Sequence, residues 1–162
     1  MDKLPPDAEL SQGLSSDELR SLEAIAIPKI LCAGEYLFLI GDIADRLYVV
    51  AKGRVDLCFP ISLGGVTKDI SVESITPGQT LGWSALVEPY RFTLSARGAE
   101  ASELVAFTRN DLLRCFDADA RVGLLLLSRI SKIVGIRLLK MQALWARELQ
   151  RTLMTETALH ED

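Results

Sequence analysis

The 162-residue chain is 25% charged and 49% hydrophobic with a mean hydropathy of +0.22, a balance that fits one globular domain and excludes a largely disordered chain. Eighteen Lys and Arg stand against 22 Asp and Glu, a formal charge of -4, so the chain as a whole carries no positive field to gather nucleic acid or anionic lipid. Apolar runs such as Leu124–Leu127 fall far below the ~20 residues of a membrane-spanning helix. Residues Met1–Pro6 lack a basic start followed by an apolar run and a small-residue cleavage site, so no secretion leader is expected and the location is read as cytoplasmic. Cys32, Cys58 and Cys115 are widely spaced with no Cys-x-x-Cys pair, and they read as reduced, buried thiols rather than a disulfide framework or a metal site.

Residues 1–28 read as an N-terminal arm and helix. Ser15, Ser16, Asp17 and Glu18 offer hydroxyl caps and first-turn acids ahead of Leu19, Leu22, Ile25 and Ala26, which predicts a short helix near 15–25 closed by Pro28. From 29 to 108, short apolar or alternating runs are punctuated by glycines from Gly34 to Gly98, the spacing of an all-β domain. Leu47–Ala51 and Val55–Phe59 flank Gly53 and predict a hairpin, and Val66–Ile75 alternates with Ile70, Val72 and Ile75 turned inward.

The period changes at Arg109. A polar start followed by Leu112, Leu113 and Phe116 predicts a short helix over 109–117, and Asp117 or Asp119 then caps a long one over 119–154, with a tail at 155–162. Leu127, Ile130, Val134, Leu138, Met141, Trp145 and Leu149 recur every three or four residues along it. Such a helix is ~54 Å long at 1.5 Å per residue, more than a domain of this size covers by itself. Beyond its first two turns the stripe is expected to meet a second copy in a homodimer, parallel or antiparallel, with Arg137, Lys140, Arg147 and Glu148 beside the seam.

Residues 77–93 carry more glycine and polar punctuation than a strand connection needs. Gly82 allows close backbone approach, Trp83-Ser84-Ala85-Leu86 fits one helical turn, and Arg91, followed by Phe92 and Thr93, brings a guanidinium suited to phosphate or carboxylate. Together they would form an anion cradle; a plain turn with Arg91 at the surface is the other reading of the same residues.

Gly34-Glu35-Tyr36-Leu37-Phe38, then Gly41–Val50, then Lys52–Leu57 resemble the opening strands of the cyclic-nucleotide-binding domain of the catabolite activator protein superfamily. The resemblance continues through Ile75–Gln79, the loop above, Ala96, Ser102-Glu103-Leu104 and the C-terminal helices, over about residues 15–150. It implies a mainly β fold, a double-stranded β-helix (a jelly-roll-like β-roll) with flanking helices. It also implies a cassette at 81–93 with Gly82, Trp83, Ser84, Ala85, Arg91, Phe92 and Thr93 as ligand-binding residues. The ligand would be a small anion, a cyclic nucleotide such as cAMP or cGMP or another anionic small molecule.

One position departs from the family pattern. Where members that bind cyclic nucleotides read Phe-Gly-Glu-Leu-Ala, this chain reads Leu81-Gly82-Trp83-Ser84-Ala85, and an indole donates one hydrogen bond and accepts none, so it does not replace a carboxylate facing a ribose hydroxyl. Two readings stay open: a non-enzymatic sensor that signals through its long helix to a downstream protein, or a homodimerisation scaffold whose pocket is filled by Trp83 and Phe92. Transcription factors of the superfamily carry a helix-turn-helix after the long helix; residues 155–162 leave no room for one here, so direct DNA binding is not expected. Three scattered cysteines and the single His160 offer no ligand set for an iron-sulfur cluster, a haem or another metal, and no catalytic constellation stands out.

Overall fold

The structure, a computed structural model, describes residues 4–159; His160 lies outside them. The chain divides into a first unit ending at Arg129 and a second beginning at Ile130.

In the first unit, Ser15 opens a capping box. Its hydroxyl accepts from the Glu18 N–H while the Glu18 carboxylate accepts from the Ser15 N–H, satisfying two otherwise orphaned donors of the helix start. The helix itself, α1 (Ser16–Glu23), buries Leu22. Pro28 does not close it but sits inside the first strand, β1 (Ile27–Leu31). This is an edge strand, where a residue without an N–H costs the ladder least.

The other strands are β2 (Tyr36–Phe38), β3 (Arg46–Lys52), β4 (Val55–Leu63), β5 (Val66–Ile75), β6 (Thr80–Leu81), β7 (Ser95–Gly98) and β8 (Ser102–Thr108). They form two four-stranded antiparallel sheets with the orders β1-β8-β3-β6 and β2-β7-β4-β5. The resulting β-roll closes on one core, in which Leu31, Phe38, Tyr48, Val50, Leu57, Ile75, Leu81, Phe92 and Leu104 are buried together.

Three sequence expectations change at this level. The predicted hairpin around Gly53 is a crossover: β3 pairs with β6 and β8 while β4 pairs with β5 and β7, because in a roll successive strands pass from one sheet to the other. The hairpin that does form is β4–β5, turning at Gly64-Gly65 with Leu63 opposite Val66. Ile70 is 44% exposed rather than inward; it lies opposite Phe59 beyond a register shift at Leu57/Cys58, on the half of the hairpin that leaves the core. Cys58 is buried and Cys115 partly so, but Cys32 is exposed, in the turn after β1.

Two helices follow. α2 (Arg109–Ala118) starts on Thr108, whose hydroxyl accepts from the Asp111 N–H. α3 (Ala120–Leu159) starts behind Asp119, whose Oδ1 accepts from the N–H of Arg121 at 2.9 Å, and it runs past the expected end at 154. Within the first unit its opening turns bury Val122 and Leu126, and Arg121 donates to the Glu18 carboxylate of α1.

That donation, with the Ser15 N–H, lowers the Glu18 pKa from 4.5 to about 2. A carboxyl whose folded pKa lies below its unfolded one stabilises the fold above the unfolded value, and the contribution is lost as pH falls toward the folded value. Acid unfolding should therefore contain a component between about pH 4.5 and 2 that Glu18→Gln removes. Urea denaturation at several pH values checks this; an unchanged slope in the variant would show that the pair is not its source.

The second unit is helical, the remainder of α3. Of the predicted stripe, Leu138, Met141, Trp145 and Leu149 are exposed, Trp145 by 69%, and Leu127 in the first unit is also exposed. Val134 is partly buried. Ile130 is only 2% exposed, so it has no free surface to give a second chain, contrary to its expected part in the seam. No helix among the described residues is long and apolar enough to cross a membrane.

Candidate ligand-binding site

β6 delivers the chain to the cassette by pairing with β3, Leu81 opposite Tyr48 and Thr80 opposite Val49. Gly82 follows with φ 79°, in the left-handed region that L side chains enter at a cost of roughly 1–2 kcal/mol. A Cβ there would lie 2.9 Å from the Arg46 carbonyl oxygen and 3.2 Å from Tyr48 Cδ2. Close approach of two backbones, as well as the turn, therefore requires glycine. Trp83–Leu86 then make one helical turn, as expected from sequence, of the 3-10 type, with the Ala85 N–H donating to the Gly82 carbonyl at 3.0 Å. Ser84 and Ala85 are buried, Trp83 partly exposed.

The other end of the cassette is held by the loop before β3. The Phe92 N–H donates to the Asp42 carbonyl at 3.0 Å, the Gly41 N–H to the Phe92 carbonyl at 2.8 Å and the Ala44 N–H to the Tyr90 carbonyl at 2.8 Å. Between Tyr90 and Phe92, Arg91 is exposed and donates from Nη1 to the Gly41 carbonyl at 2.7 Å. A guanidinium has five N–H donors in a fixed fork, so this bond leaves the group able to meet an anion. Thr93 is also exposed.

The structure modifies two of the predicted ligand contacts. Phe92 is 5% exposed, its ring stacked on Phe38 with centroids 3.6 Å apart and planes at 8°, so it serves the core and offers a ligand little surface. Ala85 is 0% exposed, and its carbonyl is already an acceptor within the protein.

The donor to that carbonyl, Arg109, was not legible in the sequence. Its Nε donates to the Ala85 carbonyl at 2.7 Å, a second N–H reaches the Ala44 carbonyl, and its Cζ lies 4.1 Å from the centroid of the Tyr90 ring. Its own backbone N–H donates to the Asp45 carbonyl at 2.8 Å. The first residue of α2 thus ties together both ends of the cassette and the loop between β2 and β3. Nothing in the run Thr108-Arg109-Asn110-Asp111 announces this, because each partner is a backbone carbonyl or a ring remote in sequence. Arg46 also emerges here: it opens β3 beside Gly82 and acts on the Tyr48 phenol, whose pKa burial raises and the Arg46 charge partly restores.

The β-roll thus carries a glycine-opened turn and an exposed arginine on a braced segment. Among the described residues no group of three or more His, Cys, Asp or Glu could hold a metal ion. The sequence profile of the cyclic nucleotide-binding domain matches residues 28–119, and the chain belongs to that family. It is 31% identical over 104 residues to the cyclic AMP receptor protein of Thermus thermophilus, a match over 64% of this chain and 47% of that protein. The chain therefore spans about half the length of this curated relative. Among solved structures, the catabolite activator protein of Thermus thermophilus superposes with a TM-score of 0.69 at 26% identity, covering 85% of this chain and 63% of that one. The N-terminal domain of a transcriptional regulator from Streptomyces coelicolor A3(2) gives 0.65 at 26%, covering 80% and 90%.

Proposed function

We propose that the chain is a sensor domain that binds a small anionic nucleotide at the Gly82–Thr93 cassette, with Arg91 as the phosphate ligand. Occupancy would be passed to α3, the homodimerising helix, and from there to a downstream protein. The observation that carries this reading is the bracing of the cassette. Gly82 is irreplaceable without a backbone clash, the Arg91 segment is bonded on both sides to the 41–44 loop, and Arg109 joins the two halves. A mere connection between strands needs none of this, whereas a site that must present one guanidinium in a fixed place needs all of it. The exposed Leu138, Met141, Trp145 and Leu149 support pairing of α3 with a second copy.

Thermal unfolding with cAMP, cGMP and cyclic dinucleotides tests the reading. A ligand at 100 times its Kd adds about 2.7 kcal/mol to the stability of the form it binds, and Arg91→Ala should abolish that shift while leaving the unliganded Tm close to wild type, because Arg91 is exposed. An equal shift in the variant would refute the role given to Arg91.

A second reading has its own support. Phe92 fills the core against Phe38, and the partly buried Trp83 stands where the family carries its glutamate, features of a roll closed to ligand and kept as a dimerising scaffold. Tryptophan fluorescence separates the two. Trp83 should respond to a ligand in the cassette, and silence across the panel together with a stable dimer favours the scaffold.

A further inference from the structure

We propose that Arg46 is a second anion-binding residue of the cassette, and that the ligand therefore carries two phosphate groups rather than one. The inference rests on the reading of the cassette given above and extends it to the class of ligand.

Along β3, Tyr48 and Val50 belong to the core inside the roll, and strand alternation puts Arg46 on that same face at the first position of the strand. Its backbone touches the cassette: the point where a Gly82 Cβ would stand is 2.9 Å from the Arg46 carbonyl oxygen and 3.5 Å from the ring of Phe92, the residue after Arg91. The backbone of Arg46 thus borders the glycine that opens the cassette, and the ring of Phe92, next in sequence to Arg91, borders it too. Arg46 is exposed and forms no ion pair with a carboxylate of the described residues; the interaction that marks it is with the Tyr48 phenol.

The chemistry of this end of the site is thereby reversed in sign. A glutamate at position 83 would present an acceptor to a ribose hydroxyl, but Trp83 presents no acceptor, and the added group nearby, Arg46, is a fork of donors. Such a surface disfavours a bare hydroxyl and favours an oxyanion, which guanidinium binds through short, charge-assisted and often bidentate hydrogen bonds. A nucleotide with phosphates at both ends of its ribose, or a cyclic dinucleotide, offers one phosphate to Arg91 and another to Arg46.

Titration calorimetry of wild type, Arg46→Gln and Arg46→Lys with cAMP, cyclic di-AMP, cyclic di-GMP and adenosine 3′,5′-bisphosphate tests the assignment. At least one two-phosphate ligand should bind wild type about tenfold or more tighter than cAMP, the advantage expected of one charge-assisted contact. Arg46→Gln should erase that advantage, lowering affinity for the two-phosphate ligand by more than it lowers affinity for cAMP, Arg46→Lys should recover part of it, and the exposure of Arg46 makes both variants compatible with the fold. Equal affinity for the two ligand classes, or an advantage that survives in Arg46→Gln, overturns the inference while leaving the cassette reading intact. Failure of every ligand to bind wild type overturns both.

Discussion

Phe92→Ala should destabilise the first unit by about 3–5 kcal/mol, the usual cost of emptying a buried phenyl site in a core that relaxes only in part. The ring is 5% exposed and lies face to face with Phe38 at 3.6 Å, and Phe38 in turn stands 6.0 Å from Tyr48. Removing the end of this aromatic row forfeits the transfer energy of one ring and its contacts with a second. At about 2–4 °C per kcal/mol for a chain of this size, the Tm should fall by roughly 6–20 °C. Chemical denaturation with an unchanged m-value gives the number directly. A loss below about 1 kcal/mol, the level of an ordinary surface change, would mean that the ring is not core, and would restore it as a wall of the ligand site. Phe92→Leu, which keeps most of the volume, should fall well short of the alanine loss.

Gly82→Ala is the second large effect, and it separates binding from stability. Two costs combine at this position: about 1–2 kcal/mol for a left-handed alanine, and a further 1–3 kcal/mol for forcing atoms into filled space, here a methyl 2.9 Å from a carbonyl oxygen of β3. Gly41→Ala is the matched control, since Gly41 also has a positive φ, 88°, but an added Cβ would meet nothing within 4 Å. The difference between the two variants in urea denaturation isolates the clash. Because only the clash at residue 82 pushes β6 away from β3, Gly82→Ala should also lose any ligand-induced thermal shift. Retention of that shift would show that ligand does not use the Gly82 turn.

Much of this arrangement was readable from residues alone, and the limits have physical causes. The hydroxyl caps and first-turn acids of residues 15–18 mark the start of α1, where Ser15 is the cap, and the change from glycine-punctuated alternation to helical spacing at Arg109 marks where β8 gives way to α2. Local chemistry decides both. The Gly53 turn was misread because a tight turn between two apolar runs is the same in sequence whether the strands pair or part, and only the competition of β6 and β8 for the edges of β3 decides. Ile70 failed for a related reason, since a register shift in its partner strand is invisible in its own alternation. At the site, Gly82 and the following turn were legible because backbone geometry restricts residue type there. Arg109 and Arg46 were not, because an arginine that serves a remote carbonyl or acts on a neighbouring phenol looks like any solvated arginine.

Arg109 also sets how the site can open. Its side chain meets Ala85, Ala44 and the Tyr90 ring while its N–H is bonded to Asp45, so the 41–45 loop, both halves of the cassette and the first turn of α2 share one fastening. Segments joined in this way fluctuate as a single cooperative unit with a common opening free energy. The cassette then cannot breathe alone: an excursion wide enough to admit or release a ligand must also loosen the start of α2, and a helix-start fluctuation must disturb the cassette. For the ligand proposed above, the rate of exchange and the mobility of that helix turn would be two views of the same motion.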